Sequence, residues 1–399
     1  MPVGSYHGWG ICGKQLAMHL AARGPVCLLT EAVNTQLGLD EAEEWCLRAL
    51  QPGPAEAATL GAGGPVRTAG PVLQAMTDAE LTPYRPGLRG HFTVGYVFFE
   101  ANRAVARRAR QASAFYDHIV AGSRWCEQQL RAAGVSQVST ILQGVDPAVF
   151  HPAEEPAVFG DRFVVFSGGK LEFRKGQDLV IRAYKVLQDR HRDTLLINSW
   201  HNFWPFSLET MAVSPWIRFP GGRPEASWRA FVEALLAANG IDVTRVITLG
   251  VRPNATLARI YRMSSVGLFP NRCEGGTNLV LMEFMACGRP AIAAYNTGHC
   301  DVVDEGNAVL LRRMRPVTIQ GPDGVMADWE EPELEEVVEA LEWAYQHREK
   351  AAELGRQGAV EMARRSWAET AREFAELLWG GGADSTLKQT EAAAAAERR

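Results

Sequence analysis

Long hydrophobic runs are missing from this 399-residue sequence. No apolar stretch approaches the ~18 residues that a membrane helix needs, and the N-terminus carries no signal-peptide core. An excess of one charge is missing too. With 41 Lys and Arg against 46 Asp and Glu the formal net charge is −5, which argues against a broad nucleic-acid-binding surface. Cysteine is sparse and unpatterned: seven residues, an odd number, with no CxxC pair. That speaks against a disulfide framework or structural zinc and for a reducing compartment. There is no D-x-D, H-x-H or HExxH spacing, so a metal site has no support and none is expected. These absences predict a cytoplasmic protein without nucleic-acid partners, and its length fits two or three domains.

What is present is alternation. Val3–His7 and Pro25–Glu31 read as strands around a helix over Cys12–Ala22. Phe92–Phe99, His118–Gly122 and Val138–Leu142 follow as strands, separated by helices over Asn102–Ala112 and Ser123–Ala133. The polar, proline-bearing segment His151–Asp161 breaks the pattern and reads as a linker. A second series has strands Phe163–Ser167, Thr194–Trp200, Val246–Leu249, Val266–Pro270, Pro290–Ala294 and Ala308–Leu311. Its helices are Gly176–Gln188, Asn254–Arg262 and Thr277–Cys287. An aromatic-rich insertion, Phe203–Gly240, interrupts it and reads as core packing or as a sugar platform. Glu333–Gln346 and Lys350–Leu378 read as long amphipathic helices. Alternation of this kind builds parallel sheets with helices on both faces. The expected architecture is α/β, two doubly wound Rossmann-like domains facing a cleft. The boundaries are 1–153, 162–330, C-terminal helices over 331–382 that cross back to the first domain, and a mobile tail over 383–399.

Chemistry concentrates in three places. In Glu274–Gly288 (EGGTNLVLMEFMACG) a loop opens a helix whose first turn is read at Thr277–Asn278. Unpaired N–H groups at such a terminus form an anion site, and Gly275 and Gly276 permit close approach by a phosphate. Glu274 lies beside that site and Glu283 about two turns deeper. In Ser167–Gly176 (SGGKLEFRKG), Lys170 and Lys175 present two cations in a glycine-started loop, suited to a diphosphate leaving group. Gly8-Trp9-Gly10 opens the first helix at the edge where ligands gather. Gly8-x4-Gly13-Lys14 also matches a P-loop, but Gln15 stands where Ser or Thr must hold magnesium.

The segment at Glu274–Gly288 resembles the Glu-x7-Glu signature of retaining glycosyltransferases of the GT-B fold, family four, the group 1 glycosyl transferases. Here eight residues separate the glutamates. Ser167–Gly176 resembles that family's G-R-L-x-x-x-K-G loop, with Lys170 in the arginine position. Leu142–Asp146, with Phe150 and Pro152, resembles its N-G-V-D-x-x-x-F-x-P junction. Val246–Pro270 resembles the strand–helix–strand before the glutamate motif, and Gly298–Leu311 resembles its G-G-x-x-E-V-V segment. The resemblance implies a metal-independent transfer of a hexose-type sugar from a nucleotide-diphosphate sugar, UDP- or GDP-linked, with no other cofactor. It implies an acceptor-side first domain and a nucleotide-sugar-binding second one. The donor would be bound by Gly8, Gly10, Lys170, Lys175, Glu274, Gly275, Gly276, Thr277, Asn278 and Glu283. Glu274, Lys175 and Lys170 would be catalytic, and Glu283 would hold the ribose. The acceptor, a small molecule, glycan or lipid-linked sugar, would meet His7 and Glu100. A structural strand-end histidine and a helix N-terminal glutamate are equally open readings of those two. His118 reads as structural. The basic run Arg103–Arg110 reads as a solvated helix face or as one that greets an anionic acceptor or, peripherally, a membrane. Two alternatives remain open: a nucleotide-sugar epimerase, and a non-catalytic nucleotide- or sugar-binding protein.

Overall fold

The computed structural model describes residues 1–380 apart from 31–32, 55–56, 59–63, 78–79, 203 and 222–226. The expected tail over 383–399 therefore lies outside the described residues, as do Phe203 and part of the Gly- and Ala-rich stretch before Gly70.

Two parallel sheets organise the chain into two lobes. Small strands β1 (Val66–Arg67) and β3 (Leu88–Arg89) pair with each other beside the first sheet. That sheet has the order β2 (Val72–Ala75), β4 (Thr93–Val97), β5 (His118–Ala121), β6 (Val138–Thr140). The second has six strands in the order β12 (Val309–Leu311), β11 (Ala291–Ala294), β10 (Val266–Phe269), β7 (Phe163–Lys170), β8 (Thr194–His201), β9 (Val246–Thr248). Every pairing in both sheets is parallel. β7 and β10 lie side by side, yet the chain leaves them in opposite directions across the sheet. This is the topological switch point, where a crevice opens beyond the strands' carboxyl ends.

Two expected strands are absent. Val3–His7 is not a strand, because its backbone groups are used locally: Gly4 N–H donates to Gly10 O and Ser5 N–H to Leu37 O. The described part of Pro25–Glu31 is likewise irregular. Pro25 has no N–H to donate, and Leu28 N–H bonds Leu50 O at the end of a neighbouring helix. An antiparallel hairpin that the alternation did not suggest, β13 (Met314–Gly321) with β14 (Gly324–Pro332), follows the second sheet.

The helices that matter to the site are α1 (Gly8–Ala21), α2 (Glu41–Ala49), α3 (Asn102–Ser113), α4 (Arg124–Ala132), α5 (Gln177–Arg190) and α6 (Leu279–Ala286). The expected single helix over Lys350–Leu378 is two: α7 (Arg348–Met362) and α8 (residues 367–380). Between them the chain changes lobes. Arg365 O accepts from Val145 N–H at 2.8 Å, and Trp367 N–H donates to Val145 O at 3.2 Å. Ser366 then caps α8, its Oγ accepting from Glu369 N–H. Gly144 makes this crossing possible, since a Cβ there would sit 2.3 Å from Trp367 N. Beyond the crossing, Ala371, Phe374, Ala375 and Leu378 join Leu16, Leu20, Val94, Tyr96, Val120 and Ile141 in one apolar core of the N-terminal lobe. Val145 and Phe150, by contrast, pack into the C-terminal core with Met362.

The lobes touch extensively. Arg103 pairs with Asp328 at 2.5 Å and Arg107 donates to Val325 O, so these arginines of the basic run lie on an exposed helix face, as expected, and also bind the hairpin. Among the described residues no helix is long and apolar enough to cross a membrane.

Candidate active site

A cavity of ≈350 Å³ lies between the lobes at the switch point. Its C-terminal wall comes from the loops that follow β7 and β10. Gly176, at φ +72°, lets the first of these pack onto the second, since a Cβ there would fall 2.2 Å from Pro270 O. Lys170, Lys175, Glu274, Gly276, Asn278 and Glu283 all line this one space, and His7, Gly8 and Glu100 line it from the N-terminal lobe. Residues more than a hundred positions apart are thus brought together.

Glu274 is buried among cations. Lys175 Nζ donates to its Oε1 at 2.5 Å, Arg174 Nη1 stands 3.0 Å from its Oε2, and Asn271 Nδ2 also donates to Oε1. Its own N–H is held by Thr297 Oγ1. Burial opposes ionisation here, but the Lys175 ammonium and the Arg174 guanidinium outweigh it and bring the carboxyl to about 2. Lys175 is pulled the other way, its ammonium lowered by burial and partly restored by Glu274. Lys170 is the more open lysine. It stands 3.3 Å from Glu172 and 5.2 Å from the ring centre of Trp204.

Glu283 sits in a contrasting environment. Burial pushes its carboxyl up to about 8, against hydrogen bonds from Asn254 Nδ2 at 2.8 Å and Tyr261 OH at 3.5 Å. At neutral pH it is largely protonated in this arrangement. A ligand that donates hydrogen bonds to it, as a diol does, favours the ionised form.

Several expected contributions are placed differently. The helix after the glutamate loop begins at Leu279, and Asn278 precedes it in the left-handed region (φ 62°). Thr277 turns inward, with Oγ1 3.4 Å from Gln143 Oε1 and 2.9 Å from Met282 Sδ, and does not line the cavity. Gly275 does not line it either. Its missing side chain makes room for the opposite lobe, because a Cβ would meet Phe99 O at 2.5 Å. Gly10 lies inside α1, where the absent Cβ leaves space for the Gly4 backbone. Gly8 and Trp9 reach the cavity, and His7 caps α1 by accepting from Gly10 N–H. Lys14 is tied to Glu43 at 2.5 Å and to Ser5 Oγ, so it cannot serve as a P-loop lysine. His118 pairs with Ser139 Oγ within its sheet, away from the cavity. Glu100, expected to meet an acceptor, turns toward the C-terminal lobe, 3.2 Å from Arg174 Nη1. Of the aromatic insertion, Phe219, Trp228 and Phe231 pack on the C-terminal core and Trp216 Nε1 donates to Glu331 Oε1, while Trp204 lines the cavity, edge-on to His7.

Three participants, Arg174, Asn254 and Tyr261, were not among the expected site residues, whereas Trp204 belongs to the insertion read as core packing or a sugar platform. Arg174 sits beside Lys175 in the basic loop, and Asn254 ends the GVRPN turn after β9. Neither residue carries a local signal of which carboxylate it meets. Among the described residues, no group of three or more His, Cys, Asp or Glu stands together as a metal-binding cluster.

Residues 162–317 match the family "Glycosyl transferases group 1". D-inositol 3-phosphate glycosyltransferase of Kribbella flavida is 30% identical over 46% of this chain and 40% of its own length. GDP-mannose-dependent alpha-(1-6)-phosphatidylinositol monomannoside mannosyltransferase of Mycolicibacterium smegmatis is 26% identical over 63% of this chain and 61% of its own. The matches span about two fifths to three fifths of these relatives' lengths. Among solved structures, sucrose-phosphate synthase from Thermosynechococcus elongatus superposes with a TM-score of 0.63 at 19% identity, over 98% of this chain and 96% of that one. HepE of Anabaena, solved with UDP and glucose, gives 0.52 at 17% identity, over 72% of this chain and 71% of that one. The architecture is that of these GT-B proteins.

Proposed function

We propose that this protein is a retaining, metal-independent glycosyltransferase of family four, moving a sugar from a UDP- or GDP-sugar to a hydroxyl-bearing acceptor. The observation that carries the reading is the convergence of Lys170, Lys175, Glu274 and Glu283 on one interdomain cavity. The kinship of residues 162–317 to group 1 glycosyl transferases supports it, and the HepE complex supports a nucleotide donor.

Each side chain then has a task that its environment suits. Glu283 receives the ribose hydroxyls, exchanging its proton for their hydrogen bonds. Lys170 and Lys175 stabilise the charge that grows on the departing diphosphate, in a site where water is scarce and each charge counts for more. Glu274, ionised, faces the positive character developing on the sugar. Its oxygens already accept from Lys175, Asn271 and Arg174, which suits an orienting carboxylate better than an attacking one. Attack by the acceptor hydroxyl on the face that the diphosphate leaves is the corresponding route to retention. The acceptor, a small molecule, glycan or lipid-linked sugar, enters past His7 and Trp9.

An epimerase would need free acids in the cavity. Its carboxylates Glu100, Glu274 and Glu283 are each held by a partner, which favours transfer. A thermal-shift screen over nucleoside diphosphates, followed by assay of diphosphate release from the matching sugar donors, tests the proposal. Release with water or any acceptor supports it. Tight binding without release from any donor would make this a binding protein and refute the enzyme.

A further inference from the structure

The roles above leave Arg174 unused, although it is the most heavily engaged side chain beside the cavity. It is buried; Nη1 donates to Cys273 O at 2.9 Å and stands 3.0 Å from Glu274 Oε2 and 3.2 Å from Glu100 Oε1. Nη2 donates to Glu172 Oε1 at 2.6 Å. One guanidinium therefore joins carboxylates from three segments, and one of them, Glu100, belongs to the opposite lobe. Glu100 also accepts from Gly275 N–H, and its carbonyl accepts from Trp329 Nε1 on the hairpin.

The groups facing Glu274 can be counted by element. The loop after β7 supplies Lys175 and Arg174, its own loop supplies Asn271, and the turn after β11 supplies Thr297 and His299. Glu172, Lys170 and Glu100 form the next ring of charge. Burial drives the His299 imidazole down to about 4, so at neutral pH it contributes no charge. Only Lys175 and Arg174 among these contacts are cations. A diphosphate between Lys170 and Lys175 draws the lysine away from Glu274, and a buried carboxylate that loses its cations takes up a proton. Arg174 is unable to follow the phosphate, because Cys273 O and Glu172 fix its fork, and it does not deprotonate.

We propose that Arg174 is a positioning residue that holds Glu274 ionised and aimed at the sugar while Lys170 and Lys175 turn to the diphosphate. Glu100 completes the arrangement only when the lobes are together, so it links the state of the donor carboxylate to domain closure. The inference rests on the glycosyltransferase reading and adds to it a residue with a defined electrostatic task.

The test compares Arg174→Met, Arg174→Lys and wild type in kcat and donor KM across pH. Arg174→Met is expected to lower kcat on the order of 10²-fold, with donor KM changed less than about threefold. Its acid limb should move up by roughly one pH unit or more, the usual effect of losing an adjacent opposite charge. Arg174→Lys keeps charge but loses the fork, so it should keep the limb near its wild-type position and recover part of kcat. An unmoved limb in Arg174→Met, or a lysine variant no better than methionine, overturns the proposal. If Arg174→Met does not fold, Arg174→Lys decides: wild-type kcat in that variant overturns it, and a severalfold lower kcat with the limb in place supports it. Failure of the underlying reading looks different, since wild type then consumes no nucleoside-diphosphate sugar. In that case the Glu274 carboxyl is followed by ¹³C NMR in glutamate-labelled wild type and variants, with UDP or GDP added. A Glu274 midpoint equal in wild type and Arg174 variants overturns the electrostatic role, and a raised one supports it.

Discussion

Glu274 and Glu283 are nine positions apart in sequence and opposite in state, one driven down to about 2 and the other up to about 8. Burial is the first cause at both, and the difference lies in what surrounds it: two cations at Glu274, an amide and a phenol at Glu283. For Glu283 the folded chain keeps a proton that the unfolded chain releases, between the ordinary carboxyl value of 4.5 and about 8. Stability therefore falls as pH rises through that window. Glu283→Gln should flatten this part of the melting-temperature profile. The same variant should weaken nucleoside diphosphate binding by roughly 1–3 kcal/mol in calorimetry, through loss of a charged hydrogen bond to ribose. Lys175→Ala should lower turnover on the order of 10²-fold while leaving chelator-treated and untreated protein alike. Strict magnesium dependence would contradict that expectation. These lysines and glutamates were legible because each sits in a short motif whose spacing encodes its chemistry. Arg174 was not, because its meaning depends on Glu100 and Glu274, carboxylates from two distant segments.

At the scale of elements, legibility followed whether the backbone's hydrogen bonds were local or remote. The six strands of the second sheet and the helices near Gly176–Gln188, Asn254–Arg262 and Thr277–Cys287 were readable from apolar runs separated by turns, whereas the helix Trp228–Ala238 was hidden in the aromatic insertion. Val3–His7 looked the same and is not a strand, because Gly10 O and Leu37 O take its N–H groups first. The hairpin β13–β14 was readable in principle: Gly321-Pro-Asp-Gly324 is a turn sequence, and Val317 and Ile319 before it, with Ala327 and Trp329 after it, alternate. The break before α8 had its own signal, Ser366-x-x-Glu369. The hairpin's attachment was not readable. It depends on Arg272, fully buried, whose Nη2 lies 2.7 Å from Asp178 Oδ2 and which also donates from Nε to Glu331 Oε2 at 2.8 Å. Arg272→Met leaves the buried Asp178 without its cation and Glu331 with only the half-exposed Arg315, and should cost about 3–5 kcal/mol in urea unfolding. A loss below about 1 kcal/mol would mean that the hairpin is held by its apolar contacts instead.

For the whole molecule, the two chain crossings lie side by side, at Val145 and at Arg365–Trp367, and α8 completes the N-terminal core. Truncation before Glu361 should therefore lower the melting temperature of both lobes, whereas truncation after Gly382 should leave turnover unchanged. Equal melting curves for the two truncations would show that α8 adds nothing to the first lobe. Limited proteolysis should find the His151–Asp161 segment cut more slowly once a nucleoside diphosphate is bound. The same feature orders events on the ribosome. Residues 163–311 carry the whole second sheet, while the first lobe waits for Phe374 and Leu378. During synthesis the lobe translated first is the lobe finished last, and its unfinished apolar face must be sheltered until the final helix emerges.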